Sequence, residues 1–222
     1  MIGFRILGRG RKVDAGVVAR FREIPVANVS DSMHRMSAGG ARLRPMHRGG
    51  RMAGPAFTVK TRPGDNLMVH KALDLADPGD VIVVDAGGDL TNALIGEIMS
   101  SYAHARGIAG MVIDGAIRDA DEIRQSAFPV YAAGVTHRGP YKDGPGEINV
   151  PVAIDGMVIE PGDLVLGDGD GLLCVPFEAT AAVLAAAQDK QKLEAREIEA
   201  AARAALDRAW VDARLRQLGC EM

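Results

Sequence analysis

Short apolar runs alternate with amphipathic segments through the middle of the chain, separated by turn-forming residues. Five runs have the length and branched-residue content of strands: Ala56–Thr61, Val81–Asp85, Gly110–Ile113, Pro129–Ala132 and Leu172–Val175. Between them Leu67–Leu75, Gly96–Arg106 and Ala120–Ser126 have helical periodicity, and Gly107 supplies a stop signal for the second. Strand-helix alternation of this kind predicts an α/β core whose sheet is at least partly parallel. Beyond Pro129 the pattern changes. Val150–Ile154 and Met157–Ile159 flank Asp155-Gly156, a pair suited to a tight hairpin turn, and Pro161-Gly162-Asp163 turns the chain into Leu164–Leu166. The second half therefore adds antiparallel strands. Ser30-Asp31-Ser32 is read as the cap of a short helix.

From about Glu178 to about Trp210, Ala-rich helix formers run without Gly or Pro. One long helix is expected there, as an oligomer contact or a solvated arm. No repeat or flexible linker interrupts the chain, so residues 1–177 form the main domain and 178–222 a helical extension.

Composition narrows the function. The 222 residues suffice to bury a core without covalent staples, and 47% hydrophobic with 25% charged residues is an ordinary globular balance. A net charge of −3 gives no global attraction to nucleic acid or to an anionic membrane. Arg42, Arg44, His47, Arg48 and Arg51 do cluster, but aromatic stacking groups are only 4% of the chain, so a solvated or substrate-facing loop is expected rather than a nucleic-acid surface. Two cysteines, Cys174 and Cys220, have no metal or redox spacing and favour a reducing compartment. The basic N-terminus lacks the apolar core of a signal peptide, and no stretch has the length of an uncharged membrane span. A soluble, cytoplasmic protein is expected.

The chemistry concentrates in Gly110–Glu122, where an apolar strand runs into a Gly-containing turn followed by Arg118-Asp119. Catalytic groups in α/β proteins favour the carboxyl end of a strand. A guanidinium there grips a carboxylate through two parallel hydrogen bonds, and Asp119 is suited to a hard, oxygen-seeking cation such as Mg²⁺. Together they suit a 2-keto acid, with Arg118 on its carboxylate and the cation on its keto oxygen. The competing reading is a surface pair in which Asp119 caps the helix at Ala120. A second segment, Val81–Asp85 followed by Ala86–Asn92 and Gly96-Glu97-Ile98-Met99, brings a glycine-containing turn to a helix N-terminus, a ready anion site. Glu97 then serves a cation or a proton transfer, or is a first-turn glutamate placed by the helix dipole.

Gly87-Gly88-Asp89, Gly96-Glu97-Ile98-Met99 and Val112–Asp119, supported by Gly64-Asp65-Asn66 with His70-Lys71-Ala72-Leu73-Asp74 and by Gly144–Val152, resemble the RraA-like family over roughly Ala27 to Phe177. That family holds 4-hydroxy-4-methyl-2-oxoglutarate aldolases and RraA regulators of ribonuclease activity. The resemblance implies an α/β/β sandwich related to swivelling domains, assembled as a homotrimer or homohexamer. It also implies a class II pyruvate aldolase and oxaloacetate decarboxylase dependent on Mg²⁺ or Mn²⁺. Arg118 would bind the pyruvyl carboxylate, Asp119 would hold the metal, and the backbone of Gly96, Glu97, Ile98 and Met99 would take the pyruvyl end of a small keto acid. Glu97 stands where well-studied aldolases of the family have aspartate, and Glu122 completes the acidic spacing. Glu194 and Glu197 are candidates for a glutamate that the family borrows from a neighbouring subunit. The rival reading is a non-catalytic regulator of ribonuclease activity; the intact Arg118-Asp119 pair favours catalysis.

Other signals are weaker. Asp85–Asp89 lacks the alternating glycines of a nucleotide-binding loop, and Gly167–Gly171 lacks the closing glutamate of a calcium loop and is read as a strand-connecting turn. His34, His70, His104 and His137 have no metal-ligand spacing, and His70 is read as packing or helix surface. No lysine is singled out for a Schiff base; Lys60 and Lys71 are read as solvated or structural.

Overall fold

The apolar runs that begin at Val81 and Gly110 become neighbouring parallel strands at the centre of a mixed sheet, in a computed structural model that describes residues 1–37, 39 and 41–222. The strands are β1 (Phe4–Ile6), β2 (Arg44–Pro45), β3 (Met52–Thr61), β4 (Val81–Ile95), β5 (Gly110–Ile117), β6 (Val130–Val135), β7 (Gly146–Ile148), β8 (Val152–Ile154), β9 (Met157–Ile159), β10 (Leu164–Asp168) and β11 (Gly171–Val175). The helices are α1 (Ala15–Arg22), α2 (Val26–Ser32), α3 (Leu67–Leu75), α4 (Glu97–Ala105), α5 (Ala120–Gln125), α6 (Thr180–Ala202) and α7 (Ala209–Gln217).

Strands β3, β4, β5 and β6 run parallel. On one edge of β3, its first half pairs antiparallel with β10 and its second half with β7, so this strand belongs to both the parallel sheet and the antiparallel unit. Burial on both faces explains the unbroken apolar runs. Ile82, Val84, Met111 and Ile113 pack with α3 and α4, whereas Val81, Val83 and Val112 pack with β8, β9 and Cys174 of β11. The other face of β10 and β11 buries Leu164, Leu166 and Leu173 against Phe21, Val29 and Leu184 of α1, α2 and α6. This is the expected α/β/β sandwich, with three helices on its outer β face. The hairpin forms as read: Asp155 and Gly156 both take positive φ, 50° and 86°. The Asp168–Gly171 turn joins β10 to β11, in keeping with a connecting turn.

Several expectations need correction. β4 and β5 each extend well past the runs read as strands. β4 pairs regularly to Asp85↔Asp114, bulges through Gly87 and Gly88, touches the ladder again at Asp89↔Gly115, and after a second irregularity continues through Ala93↔Ala116 and Ile95↔Ile117. The glycines permit the positive φ of the bulge, so they lengthen the strand rather than end it. Ser30-Asp31-Ser32 forms the last residues of α2 instead of a cap. The long C-terminal helix stops at Ala202, with Ala204 at φ 52° and Ala205 N–H donating to the Ala200 carbonyl, a Schellman-type ending. Only Leu184 and Ala187 of α6 are buried and α7 buries nothing, so little packing holds the two segments as one helix. The first half of α6 is tied to the globule through Gln191 to the Glu23 carbonyl and Lys190 to Asp31.

The basic cluster also divides. His47 is buried, its Nδ1 against the Val130 backbone, while Arg42 lies 2.8 Å from buried Asp114. Burial pushes the Asp114 carboxyl up and Arg42 pulls it back only in part. A carboxyl whose folded pKa is raised contributes its full stability below the unfolded value and loses it as pH rises through the folded one. Asp114→Asn is therefore expected to raise Tm by about 2–4 °C near pH 7, for roughly 1 kcal/mol, with the gain vanishing toward pH 4 in a thermal-melt series.

Candidate active site

The return of β4 to the ladder assembles the site. Ile95 pairs with Ile117, and Arg118 N–H donates to the Ile95 carbonyl at 3.0 Å. Gly96-Glu97 and Arg118-Asp119 are thereby brought side by side at the carboxyl ends of adjacent parallel strands, where ligands of α/β sheets bind. Asp119 precedes α5 but makes no side-chain hydrogen bond to that helix. Its Oδ2 instead accepts from the Glu97 N–H at 2.9 Å, the first residue of α4. The capping reading is corrected in that sense: the carboxylate serves the neighbouring helix.

Gly96 is required for this approach. A Cβ at residue 96 would overlap Asp119 Oδ2 and meet Arg118 Cγ at 3.0 Å. The backbone there is ordinary extended chain, so space and not φ demands glycine. Arg118 Nε lies 3.9 Å from Asp119 Oδ2, and both side chains remain partly exposed. The N–H groups of Ile98 and Met99, in the first turn of α4, have no partner within the helix.

These groups border a cavity of about 160 Å³ that also receives Asn66, His70 and Lys142. It suits a molecule of a few heavy atoms, since drug-sized pockets run to about 300–1,000 Å³. His70, Ile98 and Met99 are shared with an adjoining apolar groove between α3 and α4. Partial burial lowers the His70 imidazole from its ordinary value, the Lys142 charge adds to this and Asp74 partly offsets it. Asn66 is buried, donates to the Leu94 carbonyl at 2.8 Å, and has an unpartnered Oδ1.

Sequence reasoning assigned none of these three to the site. His70 is on the surface of α3, as read, but it and Lys142, a lysine not singled out, both border the cavity. The available signal was Asn66 in the Gly64-Asp65-Asn66 stretch, and a lone lysine in a loop ahead of Gly144-Pro145. Glu97 is exposed and is not among the residues that line the cavity, and Glu122 lies in the first turn of α5. Glu194 accepts from Asn28 and pairs with Lys190 of its own chain, while Glu197 is exposed.

A hard cation fits here in a limited way. Asp119 Oδ2 is engaged by Glu97, which leaves Oδ1 as a ligand. Among the described residues no group of three or more His, Cys, Asp or Glu gathers as a metal cage. One carboxylate completed by water and substrate is a donor set typical of Mg²⁺.

An α/β/β sandwich with an Arg-Asp pair set against a helix N-terminus defines the class of protein. The profile of the RraA-like family (Aldolase/RraA) matches residues 26–174, and the chain belongs to this family. It is 41% identical over 174 residues, 78% of this chain and 83% of the other, to a Halalkalibacterium halodurans protein provisionally named 4-hydroxy-4-methyl-2-oxoglutarate aldolase. A Thermus thermophilus protein named 4-hydroxy-4-methyl-2-oxoglutarate aldolase is 38% identical over 126 residues, 57% of this chain and 76% of that one. Among solved structures, Streptomyces coelicolor RraAS2, described as an unusual member of the RNase ES inhibitor RraA protein family, superposes with a TM-score of 0.76 at 28% identity. That likeness covers 84% of this chain and 98% of the other. Among the described residues no helix is long and apolar enough to cross a membrane.

Proposed function

We propose that the protein is a divalent-metal-dependent lyase that cleaves a 4-hydroxy-2-keto acid of the 4-hydroxy-4-methyl-2-oxoglutarate type to pyruvate. The observation that carries this reading is the placement of Arg118 and Asp119 against the N-terminus of α4 on one small cavity. Relatives named as aldolases support it.

Arg118 takes the carboxylate of the keto acid as a two-pronged donor, and the free N–H groups of Ile98 and Met99 add a fixed positive end at the same place. Retro-aldol cleavage removes the C4 hydroxyl proton and breaks the C3–C4 bond. Its electron pair passes into an enolate of pyruvate, which is then protonated at C3. A carboxylate such as Glu97 holds the water that receives the first proton. Arg118 stabilises the negative charge that develops on the enolate oxygen. When bound through Asp119, Mg²⁺ or Mn²⁺ supplies further Lewis-acid stabilisation of that oxygen. Lys142 and His70 line the same cavity and are assigned to the second carboxylate that this substrate type bears. Oxaloacetate decarboxylation passes through the same enolate, so the site is suited to both reactions. Assembly as a homotrimer or homohexamer belongs to the same proposal, with exposed Ile98 and the apolar groove beside the cavity as its candidate contact surface.

Pyruvate release from 4-hydroxy-4-methyl-2-oxoglutarate and from oxaloacetate tests the reading directly. With Mg²⁺ the purified protein is expected to turn over both, and excess chelator to reduce the rate by at least about a hundredfold, reversibly on adding metal back. Turnover that survives the chelator would remove the metal from the proposal. No turnover of any keto acid, together with tight association with a ribonuclease, would favour a regulator of the kind named among the structural relatives.

A further inference from the structure

Asp65 is fully buried, makes no contact with the cavity and lies outside the chemistry above, yet its carboxylate serves four donors. Oδ1 accepts from Leu67 N–H at 2.9 Å, the first residue of α3. Oδ2 accepts from Asp143 N–H and Gly144 N–H, both at 2.8 Å, and from Arg62 Nη2 at 3.1 Å. Backbone bonds reinforce the junction: Asn66 N–H donates to the Tyr141 carbonyl at 3.0 Å and Tyr141 N–H to the Gly64 carbonyl at 2.8 Å. The far end of the same loop is held by Ala93 N–H on the Arg138 carbonyl at 2.8 Å. Lys142 thus hangs on a short span between two anchors, and the residue that follows it is bonded to Asp65. The same carboxylate fixes the start of α3, which carries His70 to the cavity.

We propose that Asp65 is a positioning residue that sets substrate selection: by clamping the 141–144 loop to the start of α3, it holds Lys142 and His70 against the far end of the keto acid. This rests on the lyase reading of the site and extends it to a residue that touches neither substrate nor metal. An amide at this position keeps one acceptor oxygen but turns an NH₂ group toward other N–H donors. Buried donors left without acceptors make the arrangement costly, and the loop is expected to lift.

The test compares Asp65→Asn, Lys142→Ala and the double variant. KM for 4-hydroxy-4-methyl-2-oxoglutarate is expected to rise about tenfold in each single variant, with kcat changed much less, because a displaced charge weakens placement of the far carboxylate. Inhibition by oxalate, which is short enough to occupy only the Arg118 end, should stay unchanged. The double variant should lose clearly less than the sum of the two single losses, since the lysine that Asp65 positions is already gone in Lys142→Ala and only the placement of His70 remains to be disturbed. Additive losses, or oxalate inhibition weakened in parallel with KM, would show Asp65 to be a structural group only and overturn the proposal. Hydrogen exchange supplies a readout independent of turnover: the amides of Asp143 and Gly144 should exchange faster in Asp65→Asn, and unchanged protection would also overturn it. If the native chain releases no pyruvate, the lyase reading fails while the exchange result still decides whether the loop is anchored by Asp65. Should Asp65→Asn not fold, Lys142→Ala must still show the selective rise in KM, or the assignment falls.

Discussion

Arg118→Ala is expected to lower kcat/KM for pyruvate release by about 10²–10³, the range typical when one preorganised donor to a developing anion is lost. Arg118 is held at the end of β5 by its backbone N–H on the Ile95 carbonyl, and its guanidinium is partly exposed, so truncation leaves no buried charge unpaired. Thermal stability should therefore change little, and circular dichroism with a melting curve separates lost chemistry from lost fold. Arg118→Lys should recover only a small part of the rate, because an ammonium supplies a point charge without the two parallel donors that match a carboxylate. Wild-type turnover in Arg118→Ala would eliminate the assignment of the site.

Gly96→Ala should be nearly as damaging, by about a hundredfold, although it adds a single methyl group. The backbone at residue 96 accepts any L-residue, with φ −148° and ψ −163°. The methyl would occupy the place of Asp119 Oδ2 and press on Arg118 Cγ. The carboxylate has to swing aside, losing its bond to Glu97 N–H and the direction of its remaining oxygen. Displacements of about 1 Å at a reacting centre cost on the order of 10² in rate. Because the end of a flexible side chain can yield, the fold should survive. A Mg²⁺ titration followed by activity should reach half-saturation only at a higher metal concentration than in the native protein. Unchanged metal affinity and rate would mean that the contact between Asp119 and α4 is irrelevant to function.

How far the sequence announced all this depends on the kind of signal each residue carries. Strong periodicity placed β3 to β6, α3 and α4, because two-sided burial of Val81–Val84 and Met111–Ile113 leaves an unmistakable apolar run. The Asp155-Gly156 hairpin was legible for a different reason, its unusual dihedrals. Gly87 and Gly88 were misread as an ending. A bulge and a turn have the same local chemistry, and only the later pairing of Ile95 with Ile117 distinguishes them. That pairing also explains why Arg118 and Gly96 stood out in the sequence as candidates while Lys142 and His70, which line the same cavity, did not. The former lie at the ends of neighbouring strands, a position that strand order alone suggests. The latter reach the cavity through a loop clamp and a helix face, which depend on tertiary bonds made by Asp65. The C-terminal arm marks the opposite limit: helix propensity persisted past Ala202, but without packing it did not decide where the helix ends.

Asp119 itself sits at φ 53° and ψ 44°, a left-handed conformation that costs a side-chain-bearing residue roughly 1 kcal/mol or more. Glycine would relax this corner, so the preference of the backbone and the demand for a carboxylate oppose one another at a single position. On the proposed lyase reading, turnover is one pressure that keeps an acid there, beside its hydrogen bond from the Glu97 N–H. In lineages released from that pressure, drift should reach this corner early, and the residue found there becomes a marker separating relatives that still perform the reaction from those that keep only the scaffold.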